Sequence, residues 1–269
     1  MPKARINGID ISYKVEGAGE PLVLIMGFSG DRRAWILHKR ALGKRFQTIT
    51  FDNRGAGKTD KPSEPYTIKT MADDTVGLMD HLGIERAHVL GVSMGGMIAQ
   101  EVAINYPERV RKLVMGCTFA RRDDVSGHSA EYYRSLGLEE GCSDDDLRIV
   151  TMTRLMGTVY SLASNNRLVQ MIAGPVAKIR FRSGRDQGVK GQYEAILSHD
   201  TQDRLHMIQA PTLVITGAGD RLITPRSSDV LASNIPNARL VKVEGGAHAF
   251  FVEKCFRFNR EVLDFLSAG

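Results

Sequence analysis

Short, continuous apolar runs recur along the chain and predict strands that are buried on both faces. Each run is bounded by glycine, proline or polar residues, as the strands of a parallel sheet commonly are. The runs occupy residues 22–25, 48–51, 87–90, 113–115, 212–216 and 240–243. Residues 6–16 differ, because they alternate in two short segments interrupted at Asn7-Gly8. That pattern predicts an opening hairpin.

The segments between these runs have helical periodicity. Residues 68–82 form one such segment and stop at Gly83, and residues 94–106 form another and stop at Pro107. Asp31 is predicted to cap a further helix that carries Trp35, and a last helix is predicted over 256–266. Strands that alternate with helices at this spacing predict an α/β fold, with a mostly parallel sheet and helices on both faces.

Residues 118–204 interrupt this rhythm, because they contain no evident buried strand and their periodicity is helical. Ser143, followed by the aspartates at 144–146, is typical of a helix start. We therefore predict a core formed by 1–117 and 205–269, with a helical cap insertion at 118–204. Met152, Met156, Met171 and Ile172 of this insertion would either line an adaptable apolar pocket or form the insertion's own core.

A serine lies at the junction between the run at 87–90 and the helix that follows it. The sequence there is Gly91-Val92-Ser93-Met94-Gly95, which matches the nucleophile elbow G-x-S-x-G. So tight a strand-to-helix turn leaves almost no room for side chains beside the serine, which explains the glycines. The pattern predicts that Ser93 is a nucleophile exposed at the carboxyl end of the sheet.

A serine hydroxyl is a poor nucleophile at neutral pH and needs a base, which in turn needs a carboxylate to orient it. Of the seven histidines, His248 stands in a glycine-rich loop after the last predicted strand. Asp220 follows the run at 212–216 through Gly217-Ala218-Gly219. The predicted base is therefore His248 and the predicted acid is Asp220. Asp200 and Asp203 are rivals for the acid, but neither follows a strand.

Attack on a carbonyl also requires donors for the oxyanion, and backbone amides are sufficient for that purpose. Met94 follows the nucleophile at a helix amino terminus, so its amide is one predicted donor. Phe28 follows Gly27 at the end of the first apolar run, so its amide is the predicted second donor.

The chain as a whole resembles the α/β-hydrolase family, in the branch of microbial carboxylesterases, 3-oxoadipate enol-lactonases and cofactor-free perhydrolases. The resemblance rests on five pieces, which are Met26-Gly27-Phe28, the segment 52–60, Gly91-Val92-Ser93-Met94-Gly95-Gly96, Gly217-Ala218-Gly219-Asp220 and Gly246-Ala247-His248. Relatives usually carry histidine-glycine where this chain has Met26-Gly27, which leaves the hydrogen bonding of that loop open.

The resemblance implies a serine hydrolase that cleaves a carboxylic ester through Ser93, His248 and Asp220, without a metal or an organic cofactor. An enol-lactonase or a perhydrolase would use the same residues. Some proteins of this fold act as small-molecule receptors with slow hydrolysis, so that alternative also stays open. Dehalogenases that resemble this fold have aspartate where this elbow has serine, which argues against dehalogenase activity.

Composition and charge limit the classes of partner that the protein is expected to bind. The net charge is +5, but basic pairs such as Arg32-Arg33 are interleaved with acids and predict a solvated face rather than a nucleic-acid site. The apolar run at 22–26 is too short to cross a membrane. Three cysteines without a C-x-x-C pair favour a reduced, cytoplasmic setting. The expected partner is a small-molecule ester or lactone, and assembly into a homo-oligomer stays open.

Overall fold

The predicted mostly parallel sheet is present in the computed structural model, which describes residues 2–122 and 187–268. Within these residues one eight-stranded sheet has the order β1-β2-β4-β3-β5-β6-β7-β8. The first two strands form the predicted hairpin and join β4 antiparallel, and all other neighbours are parallel. The strands are β1 Lys3–Ile6, β2 Ile9–Glu16, β3 Glu20–Ile25, β4 Phe46–Phe51, β5 Ala87–Val92, β6 Val110–Gly116, β7 Thr212–Gly217 and β8 Ala238–Val243.

Helices cover both faces of the sheet. They are α1 Ile36–Leu42, α2 Ile68–His81, α3 Met94–Asn105, α4 Gln187–Leu197, α5 Pro225–Asn234, α6 Phe250–Glu253 and α7 Cys255–Ser267. One apolar cluster includes residues of α2 and α3, and a second includes Trp35, Phe250 and Phe258. Central strands are therefore screened from water on both sides, which explains why their sequences are continuously apolar.

Asp31 and Gly83 mark helix boundaries, as the sequence predicts. The Asp31 carboxylate accepts a hydrogen bond from the Arg33 amide, and the capped segment Arg32–Trp35 is a 3₁₀ turn that leads into α1. Gly83 adopts a φ of +66° beyond the end of α2, a conformation that glycine adopts without strain.

The strand order reverses between β3 and β5, and this reversal positions the candidate site. The chain runs from β3 to β4 on one side and then returns to place β5 on the other side of β3. Connections at such a switch point diverge, so a crevice opens beyond the carboxyl ends of the two strands. The loop that begins at Gly27 and the turn at Ser93 both lie at this edge.

The prediction that Arg32 belongs to a solvated face is wrong. Arg32 is buried and its guanidinium lies 2.5 Å from the Asp52 carboxylate, whereas the neighbouring Arg33 is exposed. A second buried pair joins Arg54 to Asp74 at 2.7 Å. The loops that follow β3 and β4 thus place the Arg32 and Arg54 guanidinium groups in the interior. Pairing with a carboxylate offsets the desolvation of each arginine.

Part of the predicted insertion lies outside the described residues. This applies to the helix start at Ser143, the four pocket candidates from Met152 to Ile172, Cys142 and His128. Of the described part, α4 packs against the loop that follows β4, where Gly188 lies close to Gly55. An isolated bridge pairs Arg121 with Asp200. No helix in the described ranges is long and apolar enough to cross a membrane.

His199, just beyond α4, makes stability depend on pH. Burial lowers the pKa of His199 from 6.5 to about 4, although Glu101 and Asp200 nearby act in the opposite direction. The unfolded chain accepts a proton near pH 6.5 and the folded chain only near pH 4, so stability falls as the pH drops through that window. We expect His199 alone to lower the free energy of unfolding by roughly 2 kcal/mol between pH 7 and pH 5.

Urea unfolding of wild type and His199→Leu at pH 7 and pH 5 measures this effect. The pKa of buried His38 and that of His88 are also lowered by desolvation, and both histidines remain in the variant. The expected result is a smaller pH-dependent loss in the variant. Equal losses in the two proteins would contradict the assignment to His199.

Candidate active site

Ser93 lies at a strained turn between β5 and α3. Its φ of 55° and ψ of −124° are unusual for a residue with a side chain. A Cβ atom at Gly91 would overlap the carbonyl oxygen of Gly95, and one at Gly95 would overlap that of Ile25. The turn therefore requires both glycines. The Ser93 amide donates to the Gly116 carbonyl at 2.8 Å, which ties the turn to β6.

Gly95→Ala tests how tightly this turn is packed. Alanine normally stabilises a helix relative to glycine by about 1 kcal/mol. At Gly95, however, the new methyl group would meet the backbone of Ile25, which cannot move without displacing β3. We expect a net loss of about 2 kcal/mol or more, as overpacking commonly causes.

Gly77→Ala in α2 is the matched control for this prediction. A Cβ atom there would lie 2.6 Å from Cγ2 of Ile6, a side-chain methyl group of the edge strand β1, so relief requires a shift of one side chain rather than of the backbone of a central strand. Thermal unfolding of both variants gives the comparison. A Gly95→Ala protein that is as stable as Gly77→Ala would show that the turn is not tightly packed.

A chain of hydrogen bonds runs from Ser93 through His248 to Asp220. Nε2 of His248 lies 3.1 Å from Oγ of Ser93, and Nδ1 lies 2.8 Å from Oδ2 of Asp220. The other carboxylate oxygen of Asp220 accepts from the amides of Leu222 and Ile223, each at 2.9 Å. Because an ionised carboxylate only accepts, Nδ1 carries the proton and Nε2 is free to accept one.

Two loops hold the histidine and the aspartate at this edge. The Gly219 amide donates to the Gly246 carbonyl at 2.9 Å, and the Ala218 amide donates to Val243 at 2.9 Å. A Cβ atom at Gly217 would overlap the carbonyl oxygen of Ala247, so the loops are in close contact. The loops after β7 and β8 thus fold as one unit, which fixes the distance between Asp220 and His248.

The loop after β3 approaches the serine from the other side. A Cβ atom at Gly27 would lie 3.0 Å from Cβ of Ser93. Gly30 donates to the Gly27 carbonyl at 3.1 Å, and among the described residues the Phe28 amide has no acceptor. Met94 is the first residue of α3, so its amide has no acceptor within the helix. Both predicted oxyanion donors therefore lie next to Ser93.

Asn53 supports this loop, and sequence reasoning did not single it out. Its side-chain amide donates to the Met26 carbonyl at 2.8 Å, and the residue is buried. This contact holds the strand end at which the chain has Met26 where relatives usually have histidine. The available signal was its place in the segment 52–60, which carries part of the family resemblance.

The other candidates lie apart from Ser93. Asp200 and Asp203 pair with Arg121, at 2.8 and 3.1 Å, so neither rival acid is bonded to His248. Cys117 is buried next to the elbow, and burial raises the pKa of its thiol well above the ordinary value. A neutral, enclosed thiol is a poor competitor for Ser93 as nucleophile.

The remaining described histidines have structural surroundings. Nε2 of His88 in β5 lies 3.0 Å from Glu20, and Nδ1 of buried His38 lies 2.8 Å from the side-chain oxygen of Asn259. His81 is the last residue of α2 and stacks edge-on against Tyr13. His206 lies in the 3₁₀ helix Gln202–Met207.

A family model described as the alpha/beta hydrolase fold matches residues 20–139 and 156–254. The chain belongs to this family. The match includes all five residues predicted for the site, and the observed sheet order and elbow are consistent with it. The fold and the family expected from the sequence are thereby confirmed.

Individual relatives are similar over nearly their whole length. The protein named "Putative carbamate hydrolase RutD" from Azorhizobium caulinodans is 31% identical over 265 residues, covering 98% of each chain. The enol-lactonase from Burkholderia xenovorans LB400 has a TM-score of 0.84 and 28% identity, covering 99% of this chain and 100% of that one. Est816, described as an N-acyl homoserine lactone degrading enzyme, has a TM-score of 0.82 and 28% identity, covering 98% of this chain and 100% of that one. The hydrolase relatives support a hydrolytic enzyme.

Within the described ranges, no group of three or more histidine, cysteine, aspartate or glutamate side chains could hold a metal ion. What the site does offer is a hydroxyl, an imidazole, a carboxylate and two backbone amides. These are the groups that acyl transfer requires.

Proposed function

We propose that the protein is a serine hydrolase that cleaves carboxylic esters through an acyl-enzyme on Ser93. The observation that carries the proposal is the hydrogen-bonded chain from Ser93 through His248 to Asp220, at 3.1 and 2.8 Å. It lies at the carboxyl edge of the sheet beside the Phe28 and Met94 amides, which have no acceptor in the part of the chain that the structure describes. Its order along the chain is nucleophile, acid, base, as in α/β-hydrolases generally.

Acylation begins when Oγ of Ser93 attacks the ester carbonyl while Nε2 of His248 takes the hydroxyl proton. Asp220 stays ionised, keeps the proton on Nδ1 and stabilises the imidazolium that forms. The Phe28 and Met94 amides donate to the oxyanion, and each such donor is worth about 3 kcal/mol in comparable sites. His248 then protonates the departing alcohol.

Deacylation uses the same groups in reverse. A water molecule gives its proton to Nε2 of His248 and attacks the acyl carbon, and the oxyanion forms again beside the same amides. Collapse of this intermediate returns the proton to Oγ of Ser93 and releases the acid. The cap insertion at 118–204 would determine which acyl and alcohol groups enter, because the core supplies only the reacting groups.

A lactone is the second candidate substrate. Two similar structures are an enol-lactonase and an enzyme described as degrading N-acyl homoserine lactones, each with 28% identity. A lactone is a cyclic ester, so the chemistry at Ser93 would be unchanged and the leaving alcohol would stay attached to the acyl group. The name of the carbamate hydrolase relative adds the carbamate carbonyl to the groups worth testing.

The experiment is steady-state hydrolysis of p-nitrophenyl esters from acetate to decanoate, an N-acyl homoserine lactone, an enol-lactone and a phenyl carbamate, with Ser93→Ala alongside. Multiple turnover that depends on Ser93 is the expected result, and the preferred compound identifies the substrate class. A single stoichiometric burst without turnover would favour a small-molecule receptor. Hydrolysis that Ser93→Ala retains would contradict the proposal.

A further inference from the structure

Gln192, in α4, links the insertion to the loop that carries the Phe28 amide. It is fully buried. Its side-chain oxygen accepts from the Ser29 amide at 2.8 Å, and its side-chain nitrogen donates to the Arg54 carbonyl at 2.8 Å. One side chain therefore bridges the loops that follow β3 and β4, far from its own place in the sequence.

The bond to Ser29 bears on the orientation of a peptide group. The turn from Gly27 to Gly30 is closed by a hydrogen bond of 3.1 Å, and Ser29, its third residue, has a φ of 55°. A positive φ at that position is characteristic of a type II turn, which disfavours residues other than glycine and asparagine. A type I turn would relieve the strain by rotating the peptide between Phe28 and Ser29.

Gln192 opposes that rotation, because its side-chain oxygen holds the amide of this same peptide. Rotation would turn the Ser29 amide away and leave the buried oxygen of Gln192 without its donor, which is costly. The Phe28 amide belongs to the preceding peptide, between Gly27 and Phe28, which this rotation leaves in place. It lies in the same four-residue turn, however, so its position beside Ser93 depends on where that turn is held.

The position of Gln192 is itself fixed by close packing. Gly188 lies so near Gly55 that a Cβ atom would overlap its carbonyl oxygen, and one at Gly191 would lie 2.7 Å from the Tyr66 ring. The ring of Tyr193 lies 6.3 Å from that of Phe28, centroid to centroid. Glycines spaced by three on one side of α4 thus let the helix approach the core closely.

We propose that Gln192 is a positioning residue for the oxyanion site, which it serves by holding the turn at 27–30, and with it the Phe28 amide, in its observed form and place beside Ser93. The proposal rests on the proposed function at Ser93. It adds a role for a residue of the insertion in the chemistry of the core.

The test uses Gln192→Met, which keeps the length of the side chain but removes both hydrogen bonds. We expect kcat for p-nitrophenyl acetate to fall about 10- to 100-fold, less than for full loss of an oxyanion donor. The KM should change less than threefold, because the lost interaction acts in the transition state. Hydrogen exchange of the Ser29 amide, measured by residue-resolved NMR, should accelerate.

Gln100→Met is the matched control. Gln100 is also fully buried, and its side chain forms hydrogen bonds with Gly96, Phe119 and Thr201. Loss of these hydrogen bonds should destabilise the protein without changing a contact of Ser29. Ser29→Gly supplies a rescue, since glycine tolerates the positive φ without help. The double variant Gln192→Met/Ser29→Gly should regain most of the lost kcat.

The outcomes separate the two proposals. If wild type shows no turnover that depends on Ser93, the proposed function fails, while accelerated exchange at Ser29 would still support the contact with Gln192. If wild type turns over and Gln192→Met keeps its kcat, the positioning role is overturned. An equal fall of kcat in Gln100→Met, or no rescue by Ser29→Gly, would also overturn it, because general destabilisation would then suffice.

Discussion

Ser93→Ala is expected to lower kcat for the best ester about 10⁴- to 10⁶-fold, because no other group in the proposed mechanism can form the acyl-enzyme. The oxyanion amides and the binding surface remain, so a small residual rate over water is expected. Stability should barely change, since among the described residues the hydroxyl makes one side-chain hydrogen bond, to His248 at 3.1 Å. Steady-state kinetics and thermal unfolding measure the two effects.

A double variant tests whether these residues act as a unit. Ser93→Ala/His248→Ala should be no slower than Ser93→Ala alone, because a base without its nucleophile contributes little. Additive losses would mean that His248 serves a separate reaction path. A Ser93→Ala protein with more than about a tenth of wild-type kcat would contradict the nucleophile assignment.

Asp220→Asn is expected to lower kcat by about 10⁴-fold while leaving the fold intact. The side-chain oxygen would keep the two amide hydrogen bonds from Leu222 and Ile223, which hold the loop. The new NH₂ group would then face Nδ1 of His248 and donate to it. The imidazole would carry its proton on Nε2, from which it cannot accept the proton of Ser93.

Asp203→Asn is the control for that change. Asp203 is one of the two rival acids in the sequence, with Asp200, and its side chain is 86% exposed beside Arg121. The kcat of Asp203→Asn should stay within twofold of the wild-type value. A comparable loss of kcat in Asp203→Asn, or a nearly unchanged kcat in Asp220→Asn, would contradict the assignment of Asp220 as the acid.

The predicted site residues were accessible to sequence reasoning because each follows an element with a strong local pattern. Ser93, Asp220 and His248 come after apolar strands, and parallel strands bring their carboxyl ends to one edge. The glycines around Ser93 add a steric requirement that few other sequences meet. Position along the chain was therefore nearly enough to place these residues together.

Gln192 and the charge pairs were missed because nothing local distinguishes them. A glutamine in an amphipathic segment, or an arginine beside another arginine, resembles a surface residue. Arg32 is buried only because the loop after β4 brings Asp52 to it. Such contacts depend on loops that meet across the fold, and a single sequence does not reveal them. The spacing of Gly188 and Gly191 was the one local hint that α4 approaches the core.

Rapid-quench mass spectrometry of the protein mixed with a p-nitrophenyl ester tests the central claim most directly. The proposed mechanism predicts a transient acyl group, at up to one per chain, on the peptide that contains Ser93, formed and lost at rates compatible with kcat. His248→Ala should form this adduct far more slowly. Turnover with no adduct, or an adduct on a peptide without Ser93, would contradict the mechanism.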